Sequence, residues 1–409
     1  MNTKTKTQLS IMMFLEFFIW GGWFVTLGSF LSNNLGAIDS ESAMAYATQS
    51  WGAIIAPFVI GLIADKYFNA EKILGLLHLI GAGLMYLMYT SDDFATFYPY
   101  ILAYMIAYMP TLALVNSVAF NQMKDPSKEF PLIRVFGTIG WILAGWIISL
   151  VFKWDASESI QEGLLSNTFL MVAIASLVLG VFSFTLPKTP PKIAKGEKVT
   201  ITEMLGLDAL KLLKDKNYFI FFISSVLICI PLAFYYQNIS LFLTESAVED
   251  STFWASMGQL SEVLFMLLLP IFFKKYGFKK TILVGMLAWT VRYLLFAYGN
   301  SGDLFFTIVI GIALHGICYD FFFVSGQIYT DSKAGEKIKS AAQGLITLAT
   351  YGVGMLIGFW VAGKIGDHFL VENGAHIWKN IWLFPALFAL GVFMIFLALF
   401  KNEKIEFTE

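Results

Sequence analysis

Charge is scarce in this sequence. Asp, Glu, Lys and Arg make up 14% of its 409 residues, against roughly a quarter in an ordinary soluble domain. Hydrophobic residues make up 57% and the mean hydropathy is +0.70, the balance of a membrane protein with no soluble domain left over. Cysteine is nearly absent. Cys229 and Cys318 are the two, both inside apolar runs and without metal-ligand spacing, so neither a disulfide framework nor a metal site is implied and their role is helix packing. The sequence has no Ser/His/Asp or Cys/His set and no nucleotide-binding loop, which leaves no basis for an enzyme or a cofactor. Its basic residues form no contiguous stripe and the net charge is -2, which argues against nucleic acid as a partner.

What is present is a series of apolar runs, each long enough to cross about 30 Å of hydrocarbon, a distance that takes roughly 20 helical residues. Read against charged or Gly/Pro-bearing breaks, they predict about twelve spans, six in each half. The first six are expected near residues 9–31, 43–64, 73–89, 98–120, 132–152 and 165–186. The second six are expected near 218–243, 253–273, 281–298, 304–329, 341–362 and 381–400. The first run is too long for a signal-peptide core and no small-residue cleavage site follows it, so it is read as a transmembrane helix. The longest polar stretch divides the chain into a first half (1–187), a linker (188–216) and a second half (217–409). Within the linker, 201–213 reads as a short amphipathic segment along the membrane surface.

Lys and Arg fall in alternate loops: Lys66 and Lys72, Lys124 and Lys128, the linker, Lys274 to Lys280, and Lys333 to Lys339. Cytoplasmic loops carry such an excess, so both termini are expected in the cytoplasm, with Lys153 and the pair Lys364/Lys379 as the departures. Each half has a basic turn between its second and third spans, GLIADKYFNAEK and PIFFKKYGFKK, a repeat of the kind carriers use for alternating access. The first turn resembles the Gly-x-x-x-Asp-Arg/Lys signature of the major facilitator superfamily. In that signature Asp65 sits at a helix N-terminus and Lys66 helps latch one gating state.

An ionised group at bilayer depth costs several kcal/mol, so each one asks for a cavity, a partner or a function. The candidates are Glu16, His78, Arg134, Glu262, Arg292, His315 and Asp320. Arg134, Thr138 and Trp141 stand at i, i+4 and i+7 on one helix face; Gln259 and Glu262 share another, as do His315 and Tyr319. Aromatic surface beside hydrogen-bonding groups suits a planar base or a sugar. Spacing leaves two readings open for most of them. Arg134 is either a cation snorkelling to the headgroups or a cavity residue. Glu262 and Asp320 are either a structural ion pair or the groups that meet substrate and proton. Glu16, on a face with Trp20 and Trp23, either lines a cavity or bonds to other helices. His78 reads as a core residue, Arg292 as a snorkelling or acid-paired cation, and Gly352, Gly354 and Gly358 as a close helix contact.

FIWGGWFVTLGSF, GLIADK, AYMPTLALVNS, FPLIRVFGTIGW, GLDAL, QLSEVLF and YDFFFVSGQIY, in that order along most of the chain, resemble the nucleoside:proton symporters of the major facilitator superfamily, carriers of bacterial inner membranes. The resemblance implies an all-α membrane protein of twelve transmembrane helices in two six-helix bundles. It also implies a nucleoside site between the halves, import driven by the proton gradient, and a carrier that works as a monomer. Matched by position, Arg134, Thr138, Trp141, Gln259, Glu262, His315 and Tyr319 fall at family substrate positions, with Asp320 beside them. In the seventh span the match gives Ala233 and Tyr236, followed by Gln237 and Asn238, of which Tyr236 and Gln237 are taken as ligand-facing. His315 and Trp141 stand where the family has a tyrosine and a phenylalanine, which bears on the preferred base or sugar. Glu262 or Asp320 is expected to carry the proton, because burial and a nearby cation pull a carboxyl in opposite directions. A proton-coupled sugar or glycoside symporter of the same fold is the alternative.

Overall fold

The computed structural model describes residues 2–59, 67–124, 126–191, 200, 207–372 and 374–403. Among these, all regular structure is helical, apart from one isolated bridge between Leu370 and His376. Two compact units form, Met1–Val199 with Glu249–Ser256, and Thr200–Val248 with Met257–Glu409.

In the first unit, α1 (Thr3–Phe24) is followed after a turn at Val25 and Thr26 by α2 (Leu27–Leu35), then α3 (Asp39–Val59), α4 (Ala70–Tyr89), α5 (Phe94–Asn121) and α6 (Pro126–Trp146). A π-helical turn (Ile147–Val151) extends α6, and α7 (Ser157–Gln161) and α8 (Asn167–Ser183) complete the unit. The ends are set by local chemistry. The Thr5 amide donates to the Asn2 side chain at 2.8 Å and the Thr96 amide to Asp93 at 2.8 Å, each satisfying an otherwise orphaned donor of a first turn. Gly36 ends α2 in the left-handed region with φ 63°, the conformation glycine takes without strain. Helix α1 packs on α6 and α8, α4 on α5 and α8, and α3 on α5.

The second unit begins with a 3-10 helix (Leu207–Lys214) and α9 (Lys216–Glu245). Next comes α10 (Ser251–Tyr298), whose first residues belong to the first unit. Helices α11 (Phe305–Ala313), α12 (His315–Tyr319), α13 (Ser325–Thr347), α14 (Met355–His368) and α15 (Trp378–Leu399) follow, with π turns at Asp320–Val324 and Leu348–Gly354. Helix α10 is two helices in one: Gly277, at φ 77° and ψ 172°, breaks it within the turn expected at 270–280. Gly335, at φ 62°, breaks α13 in the same way. Of the segment expected to be amphipathic, 201–206 lies outside the described residues. The rest forms the 3-10 helix, whose Ala209 is buried against Ala342 and Leu345 of α13.

Ten helices among the described residues are long and apolar enough to cross a membrane. Their exposure pattern is the reverse of a soluble fold's. Leu267 is 72% exposed and Leu387 63%, whereas Glu16, Arg292 and Asp320 are at 0%. Apolar side chains turned outward and charged ones inward fit hydrocarbon as the surrounding solvent. Helices α5, α9 and α15 contain prolines, which transmembrane helices tolerate because packed neighbours can satisfy the carbonyls left open.

Candidate substrate and proton sites

In the second unit, a polar and aromatic cluster is built where α12 crosses the first part of α10. The crossing is close because Gly316 and Gly258 have no side chain: a Cβ on Gly316 would lie 2.6 Å from the Ser261 carbonyl and 2.7 Å from the Glu262 nitrogen, and one on Gly258 would lie 3.2 Å from His315 Cβ. The Ser261 hydroxyl accepts the Gly316 amide at 3.0 Å. This contact sets His315 Nε2 3.7 Å from Glu262 Oε2. On the other side of the ring, Arg292 Nη1 lies 3.0 Å from His315 Nδ1. A guanidinium can only donate, so Nδ1 is the acceptor and the ring carries its hydrogen on Nε2, pointed at the Glu262 carboxylate. Arg292 itself stacks on Tyr235 of α9, 3.6 Å from the ring centroid, a contact that contributes about 2 kcal/mol when desolvated.

One turn along, the Tyr319 ring lies parallel to His315, with centroids 6.0 Å apart, and its hydroxyl shares a short hydrogen bond with that of Tyr351. Asp320 opens the π turn. It is fully buried, and neither of its carboxyl oxygens has a hydrogen-bond partner among the described residues. Glu262 lies within electrostatic range of it. The Gln259 carbonyl oxygen, one helical turn before Glu262, also lacks a partner.

In the first unit, the Arg134 guanidinium lies 3.9 Å from the centroid of Phe17 and rests over Gly137, where a Cβ would come within 2.7 Å of Nη1. Trp141 meets Trp20 edge to face at 5.5 Å and fills the space left by Gly21, whose Cβ would fall 2.8 Å from its ring. Both indole N–H groups are buried without a hydrogen-bond partner among the described residues, which leaves two donors available to a ligand. Thr138, between Arg134 and Trp141 on α6, is half-buried.

The model of the family described as "Nucleoside H+ symporter" matches residues 1–405. The chain belongs to the nucleoside H+ symporter family. It is similar to the putative nucleoside transporter YegT of Escherichia coli, 42% identical over 99% of this chain and 96% of that protein. To the xanthosine permease of the same organism it is 35% identical over 98% of this chain and 97% of that one. Among solved structures, the nucleoside transporter NupG superposes with a TM-score of 0.86 at 31% identity, covering 98% of this chain and all of that one. A family of transporters is not one of enzymes, in keeping with the lack of any catalytic set in the sequence.

Against the residues expected from this family, the structure brings His315, Tyr319, Glu262 and Gln259 together in one unit, and Arg134, Thr138 and Trp141 along one helix of the other. Tyr236 is half-buried and Gln237 buried on α9, beside Tyr235, which carries the contact to Arg292 and stacks on His315 at 5.4 Å. Sequence reading passed over Tyr235 and Tyr351. Tyr235 was passed over for its neighbours Tyr236 and Gln237, and Tyr351 lies among the glycines read as packing residues. Those glycines do pack: Cβ atoms on Gly354 and Gly358 would fall 2.8 Å from the Val226 carbonyl and 2.6 Å from Ala233. Among the described residues, Arg292 pairs with a histidine and not with an acid. The gating pair Asp65 and Lys66 lies outside the described residues.

Proposed function

We propose that this chain imports a nucleoside together with a proton across the bacterial inner membrane by alternating access. Twelve spans follow if α3 is added to the ten apolar helices and α10 is counted as two around Gly277. They divide into six-helix bundles at 1–187 and 217–409 joined by the linker 188–216, with both termini in the cytoplasm, in a carrier that acts as a monomer within the bilayer. The nucleoside is held by Arg134, Thr138 and Trp141 from the first bundle and by Tyr236, Gln237, Gln259, Glu262, His315 and Tyr319 from the second. Trp141 and Tyr319 flank the base, and Gln259 with Glu262 hydrogen-bonds the ribose hydroxyls. The unpartnered indole N–H of Trp141 and carbonyl of Gln259 support this reading, since both would otherwise waste a buried hydrogen bond. Asp65 and Lys66 latch one gating state. Family membership favours the nucleoside over the glycoside reading.

The observation that carries proton coupling is the Asp320 carboxyl, sealed in the unit with both oxygens unpartnered and a second acid in range. A charged carboxylate without a donor is costly at that depth, so Asp320 takes the proton while Glu262 engages the substrate and His315. Each translocated proton contributes ~1.4 kcal/mol per unit of pH gradient, about tenfold in accumulation. Labelled uridine in vesicles with an imposed gradient tests the assignment. Asp320→Asn should lose about tenfold in uridine accumulation per unit of gradient, and Glu262→Gln should weaken uptake at every pH. If both variants still concentrate uridine as steeply with the gradient as wild type does, neither residue couples the proton.

A further inference from the structure

Glu16 is at the centre of the first unit, yet no step of the transport reading uses it. Four helices converge there. From α1, its Oε2 lies 2.8 Å from Nε2 of His78 on α4, and its Oε1 lies 2.6 Å from the Thr111 hydroxyl of α5, whose one hydrogen it shares with the Tyr108 carbonyl. His78 Nδ1 lies 3.2 Å from the Ser176 hydroxyl of α8, which in turn lies 3.0 Å from the backbone carbonyl of His78. Of the four side chains, none is more than 2% exposed.

Counting hydrogens bears on the state of the pair. The Ser176 hydroxyl donates its single proton to the His78 carbonyl, which leaves a lone pair facing Nδ1. Nδ1 therefore carries a hydrogen. The carboxyl oxygen and Nε2, 2.8 Å apart, then need one more between them, because an ionised carboxylate against a bare ring nitrogen would oppose two lone pairs with no water to separate them. An ionised Glu16 beside a neutral His78 of that tautomer supplies none. With the Nδ1 hydrogen in place, the pair holds one proton more than that, as acid donating to imidazole or as imidazolium donating to carboxylate, and is neutral as a whole either way.

We propose that Glu16 and His78 form a proton-binding site of the first unit, additional to the carboxyls of the second, which holds one proton while the four helices close on it and releases it when α1 shifts. On release the Nδ1 hydrogen stays, one proton departs, and the pair passes from neutral to singly negative. The other titratable or charged groups nearby are Tyr104 and Tyr108 from α5, both within electrostatic range of Glu16, and Arg134 from α6, which is within range of Tyr108; α8 has no ionisable side chain. Tyr108 donates to the Glu16 backbone carbonyl at 2.8 Å. Of these groups only Arg134 favours the negative state, and it rides on Phe17, the next residue of α1. A nucleoside that engages Arg134 therefore competes with the deprotonated pair for the same cation. As structure alone, a buried acid and base stabilise a fold no better than a well-packed apolar pair, whereas a proton that can leave gives the contact between α1 and α4 two states.

The consequence for coupling rests on the transport reading, but the proton itself is testable without transport. Glu16→Gln keeps the geometry, with the amide N–H donating to Nε2 and the amide oxygen accepting from Thr111, and has no proton to lose. Purified wild type and E16Q, titrated in weak buffer from mildly acidic to mildly alkaline pH, should differ by one proton released. Ser176→Ala removes the lone pair that holds the Nδ1 hydrogen, so the ring can turn its one hydrogen to Glu16, and the extra proton should leave at lower pH than in wild type. In vesicles, E16Q should lose about tenfold in uridine accumulation per unit of gradient. Equal proton counts in wild type and E16Q, or an unshifted titration in Ser176→Ala, would overturn the site. A one-proton difference with unchanged accumulation would overturn its part in coupling. Wild-type vesicles that never concentrate uridine would refute the transport reading, while the proton count would still decide the site.

Discussion

Gly316→Ala is the sharpest steric test of how the second unit assembles its cluster. Two effects oppose each other. Alanine is favoured over glycine inside a helix by about 1 kcal/mol, so without contacts the change would stabilise α12. The added methyl, however, would lie 2.6 Å from the Ser261 carbonyl carbon and oxygen and 2.7 Å from the Glu262 nitrogen, against 3.4 Å or more for ordinary contact. The deficit is about 0.8 Å, and it falls on backbone that cannot swing aside as a side chain would. Overpacking of this kind costs typically ~1–3 kcal/mol, and the clash on rigid backbone belongs at the upper end, so it wins by up to about 2 kcal/mol. The helices must part by most of an ångström, and the 3.7 Å approach of His315 to Glu262 goes with them. Thermal unfolding in detergent should show a midpoint lower by about 2–4 °C per kcal/mol for a unit of this size, together with weaker uridine uptake. Gly391→Ala on α15, where a Cβ meets nothing within 4 Å, is the control and should be neutral or stabilising. A Gly316→Ala protein as stable and active as wild type, or a control that loses as much, would refute the close-crossing argument.

Two further changes test local stability. Asp155 accepts the Thr252 amide and the Ser149 hydroxyl, each at 2.8 Å, and so caps the first turn of α10. Asp155→Ala should cost about 2 kcal/mol, the range for hydrogen bonds to a charged acceptor, read as a lower unfolding midpoint. At the start of α9, burial pushes the Asp215 carboxyl up, but Lys333 at 2.8 Å and the amides of Asn217 and Tyr218 outweigh it and hold the carboxyl below its ordinary value of 3.8. With the folded value depressed, this group's contribution is present above that ordinary value and lost as pH falls through the folded one. Asp215→Asn, which can still cap the helix, should therefore lower stability near neutral pH by less than about 1 kcal/mol for so exposed a pair and make no difference in strong acid. Unfolding midpoints across that pH range check it.

The amino-acid sequence alone determined the helices and the neighbours within each of them. Hydropathy located the spans because a buried backbone in hydrocarbon must satisfy itself within a helix, and helical periodicity aligned His315 with Tyr319 because residues four apart share a face. The turn around Gly277 and the packing at Gly354 and Gly358 were legible for the same reason: a glycine's backbone freedom and lack of a side chain are properties of the residue itself.

Only the tertiary structure decided which helix faces meet. Glu16 reaches His78 across 62 positions and Thr111 across 95, and no local spacing encodes such a meeting; this is why the sequence left it open whether Glu16 lines a cavity or joins helices. The π turn at Asp320, which leaves that carboxyl buried and unpartnered, and the Arg292 contact, which assigns the hydrogen of His315, are likewise outcomes of how helices cross. Periodicity fixes a side chain's direction around its own axis, whereas its partner depends on the distance and angle of a second axis, and that is set by packing over the whole unit.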